Sequence, residues 1–254
     1  MGRVIPRPFA YERPATVEDA VAARAGGGTV LAGGQSLVPM MSLGLARPEL
    51  VVDISRLELA GLEARNGSVV VGALTRHREL ELGAEARDAL PLLAAAAAHV
   101  GNPRVRNRGT LGGSLAHADP AAELPVACLV HGGTVVARGP GGDRRIALED
   151  FFVGYLETAL APDEVLVSVE LERLPEGTRI GFYEVAQRAD DFALACAAAA
   201  VLPDGEVRVV VGGVADRPVR ADAQVDPDDD AFVSGAFRGR LARVCASRAL
   251  EAAA

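Results

Sequence analysis

The chain has no tryptophan, and aromatic residues make up only 4% of its 254 positions. The apolar half is therefore built mainly of Ala, Val and Leu, still enough to bury a substantial core. No apolar run approaches the roughly 20 residues that span a bilayer. The start, with Arg3, Arg7, Glu12 and Arg13, lacks the apolar stretch of a secretory signal. A cytoplasmic chain with one large domain or two smaller ones is the expectation. Cysteine is scarce too: Cys128, Cys196 and Cys245 lie far apart in apolar surroundings, with no C-x-x-C. That spacing excludes a four-cysteine iron–sulfur cluster held by this chain alone and predicts buried, reduced thiols. The four histidines, His77, His99, His117 and His131, have no metal-ligand spacing and there is no H-E-x-x-H, so no metal site is expected. Basic residues are outnumbered 26 to 34, and a net charge of -8 argues against nucleic acid as a partner. The one basic run, Arg104, Arg106 and Arg108, is a candidate local patch. Neither G-x-G-x-x-G nor G-x-x-x-x-G-K-[ST] occurs, which argues against Rossmann and Walker sites. No G-x-S-x-G elbow supports a serine hydrolase.

What is present alternates between helix and strand patterns. Thr16 with Asp19 three residues on predicts a capped helix running to about Arg24 and stopping at Gly26-Gly27-Gly28. A buried strand over 29–32, a turn at 33–36, a helix over 37–45 and a strand over 50–54 complete a small α/β unit. Further on, 68–73 reads as a strand and Thr75 as the cap of a helix to Leu82. Residues 84–99 read as strongly helical, with Pro91 opening a second part. Residues 101–114, rich in Gly, Asn, Pro and Arg, read as loop, 121–129 as a buried helix and 164–171 as a strand. Pro175-Glu176-Gly177 marks a boundary turn. Three β-type runs follow, at 180–186, 192–201 and 206–214, the last two joined by a Pro203-Asp204-Gly205 hairpin turn. Residues 226–230 form an acidic solvated loop, and 231–253 a helix basic on one face and laid on a sheet.

Two segments are glycine-rich: Leu31-Ala-Gly-Gly-Gln-Ser-Leu37, between a strand and a helix, and Arg108-Gly-Thr-Leu-Gly-Gly-Ser-Leu-Ala-His-Ala-Asp119. Glycine lets backbone N–H groups approach an anion closely, and successive N–H groups form a concave anion site. Ser36, Thr110 and Ser114 add hydroxyl donors, so two such segments could grip a dinucleotide pyrophosphate from two sides. With 28 glycines in the chain such pairs arise easily, and on pattern alone ordinary tight turns remain an equally open reading.

The wider context of these segments resembles a known family. Residues 31–40, then Arg47-Pro48 and Val52-Asp53-Ile54, are similar to the first FAD motif of the medium subunits of carbon monoxide dehydrogenase-like molybdenum hydroxylases; the xanthine dehydrogenase flavin domain is a more distant relative. Residues 71–77 (VGALTRH) resemble that family's next block, and residues 106–125 (RNRGTLGGSLAHADPAAELP) its most specific one. Residues 150–155 (DFFVGY) and 191–195 (DFALA) also fit, in order, over nearly the whole chain.

The resemblance implies an α+β fold: a two-subdomain FAD-binding fold of the PCMH or vanillyl-alcohol-oxidase-like kind, plus a C-terminal antiparallel sheet with helices. Residues 1–172 would form the FAD-binding domain, with subdomains of about 1–56 and 57–172. Residues 175–254 would form a C-terminal domain of the CO dehydrogenase flavoprotein type. By the same resemblance Ala32, Gly33, Gly34, Gln35, Ser36 and Leu37, with Thr110, Gly112, Gly113 and Ser114, would hold the FAD pyrophosphate. Leu111 would lie close to the isoalloxazine, Leu166 would pack on the flavin and Phe192 would lie near the ring. Asp119 and Glu123 would stand near ribitol or ribose hydroxyls. No catalytic acid or base is implied, and His77 and His117 read as structural. The chain would relay electrons from iron–sulfur clusters through FAD to an external acceptor. Its partners would be a molybdopterin-binding large subunit and a [2Fe–2S] small subunit, with the 101–108 loop and its three arginines as a candidate edge for the cluster partner. Thr29 stands where these subunits often carry Lys, and Tyr183 where some xanthine dehydrogenase relatives do; the missing cation leaves the flavin potential and the acceptor open, and 222–230 also looks short. A free-standing FAD-dependent oxidoreductase of the same fold, and a binding module that has lost the flavin, are the competing readings.

Overall fold

A computed structural model describes residues 6–229 and 233–254. The first helix, Val17–Ala25, begins as its sequence dictates: Thr16 is extended and its side chain accepts from the Asp19 backbone N–H at 3.1 Å, satisfying a donor the helix cannot. The chain then turns back, with Gly27 at φ +90°, into the strand Thr29–Leu31. This strand and Ala10–Glu12 flank Leu50–Asp53 in a three-stranded parallel sheet. The outer strand Ala10–Glu12 has no apolar alternation and is formed by pairing alone.

A five-stranded antiparallel sheet follows, ordered Leu62–Arg65, Ser68–Gly72, Val165–Glu172, Gly133–Gly139 and Gly142–Ala147. Val69, Val71, Val135, Ala137, Val169 and Leu171 turn to the main core, where helices Pro91–His99 and Glu123–His131 cover them. Polar strands such as Gly142–Ala147 (GDRRIA) carry no apolar alternation, so the sequence pattern does not reveal them.

The third sheet is antiparallel and ordered Arg179–Ala186, Ala193–Val201, Val207–Gly212 and Val219–Arg220. Alternate side chains of its alanine-rich strand face opposite ways. Cys196, Ala198 and Ala200 join the main core, while Ala195, Ala197 and Ala199 pack under the C-terminal helix Gly235–Ala252. Small residues bring both layers close: a Cβ at Gly181 would stand 2.0 Å from the Ala249 carbonyl oxygen. The 203–205 hairpin closes as expected, with Leu202 N donating to Glu206 O at 2.8 Å.

Several expectations need correction. Thr75 does not cap a helix: its buried hydroxyl donates to Gly61 O and accepts from Gly61 N. The helix is His77–Leu82, and the Glu79 carboxylate reaches back to the Arg76 N–H at 2.7 Å. Residues 101–114 are not all loop. Asn102 caps a short helix, Pro103–Arg106, and Thr110 caps another, Leu111–His117, by accepting from Gly113 N at 3.1 Å. The C-terminal helix starts at Gly235 rather than 231, and positions 230–232 of the expected acidic loop and helix lie outside the described residues. Arg106 does not belong to an exposed patch. Its buried guanidinium pairs with Glu81 at 2.8 Å and donates to the Val100 and Gly101 carbonyls.

Candidate functional site

The two glycine segments, some 75 residues apart in the chain, face each other across a cleft of about 550 Å³. Their contact is backbone on backbone. A Cβ at Gly33 would stand 2.2 Å from the Arg108 carbonyl oxygen and 3.0 Å from the Gly109 Cα. The Arg76 guanidinium donates to that same carbonyl, and His77 N donates to Gly109 O at 3.1 Å, so the 76–77 segment fastens the second loop in place. Gly34 is left-handed at φ +75°, a conformation that favours glycine and that turns the chain from the strand into the helix Leu37–Ser42.

The donors are shared unequally. In the second segment, Leu111 N donates to Thr75 O, Gly112 N to Ala73 O, Gly113 N to the Thr110 hydroxyl and Ser114 N to Thr110 O. Those four N–H groups serve the fold. In the first segment the N–H groups of Gly33, Gly34, Gln35 and Ser36 meet no protein acceptor among the described residues. A row of unbonded backbone donors in segments lining a cleft is an anion-binding arrangement, and it requires no cationic side chain. The first segment thus has four N–H groups without protein acceptors, while in the second, of residues 110–114, only the Thr110 N–H has none among the described residues.

Ala32, Gly33, Gly34, Gln35, Ser36 and Leu37 line the cleft, as do Thr110, Gly112, Gly113, Ser114 and Leu166. Leu166 is aimed there beside a bulge between Leu166 and Ser168, which re-sets the pleat against the neighbouring strand. Four other candidates lie outside the cleft lining. Leu111 is fully buried in the core, and the Asp119 side chain accepts from Ala121 N at 2.9 Å in the turn before the next helix. Glu123 is buried against the third sheet; burial pushes its pKa up to about 7, and Glu184 and Asp119 act in the same direction. Phe192 is 70% exposed.

Residues for which no role was foreseen complete the wall. Ile54, Leu74, Leu160 and Val165 give it apolar surface. Leu156, Glu157 and Thr158 arrive on the hairpin of Phe152–Gly154 and Glu157–Thr158. Glu164 reaches the cleft with its carboxylate bonded by Arg144 at 2.6 Å, which holds its pKa down against burial. His77 lies buried at the floor, and desolvation lowers its pKa to about 4, so it is neutral at neutral pH. Leu74 and His77 fall inside the 71–77 block and could have been read from it. No local pattern marked 156–160, because a two-residue strand exists only through its partner. Among the described residues no group of His, Cys, Asp or Glu could hold a metal, and no helix is long and apolar enough to cross a membrane. All three thiols are buried and unpaired, with burial raising each pKa.

Three comparisons place this geometry among known proteins. The family described as FAD binding domain in molybdopterin dehydrogenase matches residues 7–173. The 6-hydroxypseudooxynicotine dehydrogenase complex subunit alpha of Paenarthrobacter nicotinovorans is 41% identical over 203 residues, covering 78% of this chain and 69% of its own. The carbon monoxide dehydrogenase medium chain of Hydrogenophaga pseudoflava is 35% identical, covering 85% and 78%. A solved structure of carbon monoxide dehydrogenase from Hydrogenophaga pseudoflava, lacking the Mo-pyranopterin moiety of its molybdenum cofactor, superposes with a TM-score of 0.95 at 32% identity, over 98% of both chains.

Proposed function

The chain belongs to the family of FAD-binding domains of molybdopterin dehydrogenases, as the oxidoreductase subunit that carries FAD, and from that premise we propose how its cleft does the work. The FAD pyrophosphate lies between the two glycine segments. It is received by the free N–H groups of Gly33, Gly34, Gln35 and Ser36 on one side and by the Thr110 and Ser114 hydroxyls on the other. Ala32, Leu37, Gly112 and Gly113 give the close, side-chain-poor surface beside it, and Leu166 packs on the flavin. The observation that carries this reading is the row of N–H groups without protein acceptors, set 31–37 against 108–114 by backbone contact at Gly33. The residues fit the group: the donors suit an anion, the walls are apolar, and the carboxylate of Glu164 is neutralised by Arg144.

When bound, FAD would supply the redox chemistry of a relay between iron–sulfur clusters and an external acceptor. The chain binds and orients it and brings no acid or base of its own. The electrons would come from other subunits, a [2Fe–2S] small subunit and a molybdopterin-binding large subunit, in a cytoplasmic assembly; that the carbon monoxide dehydrogenase relative is a medium chain supports this reading. Residues 1–172 would serve as the FAD-binding domain and 175–254 as a C-terminal domain beside it. Leu111, Asp119, Glu123 and Phe192 would act on the site from outside the cleft lining.

The test is direct. The chain purified after addition of FAD should show flavin absorption at one flavin per chain, and from its native host it should elute with two further chains carrying molybdenum and iron. A colourless chain that does not take up added FAD overturns the cofactor reading. A chain that elutes alone and reduces its own flavin with a small substrate overturns the subunit reading.

A further inference from the structure

His77 sits at the floor of the cleft, 4% exposed, beneath the second glycine segment. One edge of its ring is wedged under Gly109, where a Cβ would stand 2.6 Å from the ring Cε1 and 2.7 Å from Nδ1. At the other edge Nε2 lies 3.2 Å from the Ser114 hydroxyl. Nδ1 is buried with no hydrogen-bond partner. Desolvation lowers the ring pKa to about 4 and keeps it neutral.

A neutral imidazole has one N–H and one acceptor nitrogen. A proton on Nδ1 would be a buried donor with no acceptor, a rarer condition in folded proteins than an unused lone pair. The proton is therefore placed on Nε2, where the Ser114 oxygen can accept it. Ser114 then receives a hydrogen bond from the ring, and its own O–H is released toward the cleft. Phosphate oxygens accept hydrogen bonds, so this polarity suits them. The reversed tautomer would draw the serine proton to the ring and turn oxygen lone pairs on the anion.

We propose that His77 is a positioning residue which, as the Nε2–H tautomer, orients the Ser114 hydroxyl as a donor to the pyrophosphate of the dinucleotide in the cleft. This rests on the FAD reading above. It also explains the glycine at 109, since any side chain there would displace the ring.

The experiment is a titration of the apo chain with FAD, for wild type, H77F, S114A, the H77F/S114A double variant and H77Q. H77F fills the space without a donor; H77Q returns an N–H near the Nε2 position. A hydrogen bond to a charged acceptor sets the scale, so H77F and S114A should each weaken FAD binding about tenfold. If His77 acts through Ser114, the double variant loses no more than either single one, and H77Q recovers to within about threefold of wild type. Losses that multiply in the double variant, no loss in H77F, or no recovery in H77Q overturn the proposal. Nitrogen NMR of the histidines in the wild-type apo chain is a second measurement, and it depends on no variant folding. Protonation of Nε2 supports the proposal, and protonation of Nδ1 or a cationic ring at neutral pH overturns it. Should wild type itself fail to bind FAD, the cofactor reading falls, and the NMR result still decides the tautomer.

Discussion

Replacing Gly33 with alanine adds one methyl group, and the structure leaves no room for it. The new Cβ would stand 2.2 Å from the Arg108 carbonyl oxygen, where real Cβ contacts begin near 3.0 Å, so one backbone must move by close to 1 Å. The second segment does not move freely. The Arg108 carbonyl is held by the Arg76 guanidinium, and Gly109 is bonded to His77 N. Overpacking of this kind costs about 1–3 kcal/mol. The strain is relieved most cheaply by parting the two segments, which widens the cleft and takes the free N–H row away from the opposing hydroxyls. A loss of about 2 kcal/mol in binding is roughly thirtyfold in FAD dissociation constant. The steric conflict is therefore with the opposing loop rather than with the phosphates, so it exists in the apo chain as well. Titrating apo G33A with FAD, beside a thermal melt, measures both parts. Gly141→Ala is the control, because its Cβ meets nothing within 4 Å. Wild-type affinity and wild-type melting temperature in G33A would refute the reasoning that backbone apposition at Gly33 shapes the site.

Removing the buried Arg106 guanidinium by R106A leaves the Glu81 carboxylate with Arg78 alone and strands two carbonyls, and urea denaturation should show a loss of about 2 kcal/mol, with FAD affinity changed less than stability. Glu123, with its pKa raised from 4.5 to about 7 by burial, makes the fold more stable below pH 4.5 and less so as pH rises toward 7; in E123Q that decline should vanish, and the variant should be the more stable protein at pH 8, by denaturation across the pH range. Asp53 behaves oppositely: burial opposes its charge, but bonds from Ser55, Tyr11 and Arg13 outweigh it and lower its pKa from 3.8 to about 2. Its contribution, on the order of 2 kcal/mol, should be present above pH 4 and fade toward pH 2, and D53N should lack that acid-sensitive part.

Features read correctly from the sequence are those whose causes are local. The Thr16 cap, the stop at Gly26–Gly28, the break at Pro91 and the 203–205 turn each depend on residues within a few positions, and each is found in place. Where a local rule had two candidates, the sequence reading erred. Thr75 has the chemistry of a helix cap, but Gly61, distant in the chain, takes its hydroxyl. Arg106 looks solvated beside Arg104 and Arg108, yet Glu81 and two helix-end carbonyls draw it inward. The polar strands Leu62–Arg65 and Gly142–Ala147 left no trace in the pattern, since their ladders depend on partners and not on buried faces.

The same division runs through the site. Sequence alone determined that two glycine-rich segments exist, that the first joins a strand to a helix, and that their chemistry suits an anion, because glycine's freedom and the backbone N–H are properties of the residues themselves. Only the tertiary structure decided that Gly33 meets Arg108, that the free donors lie mostly on the first segment, and that His77 stands under Ser114. Those outcomes depend on which backbone groups find partners elsewhere in the fold. A donor's availability is what remains after every other acceptor within reach has been served, and that remainder is settled only when distant segments have packed together.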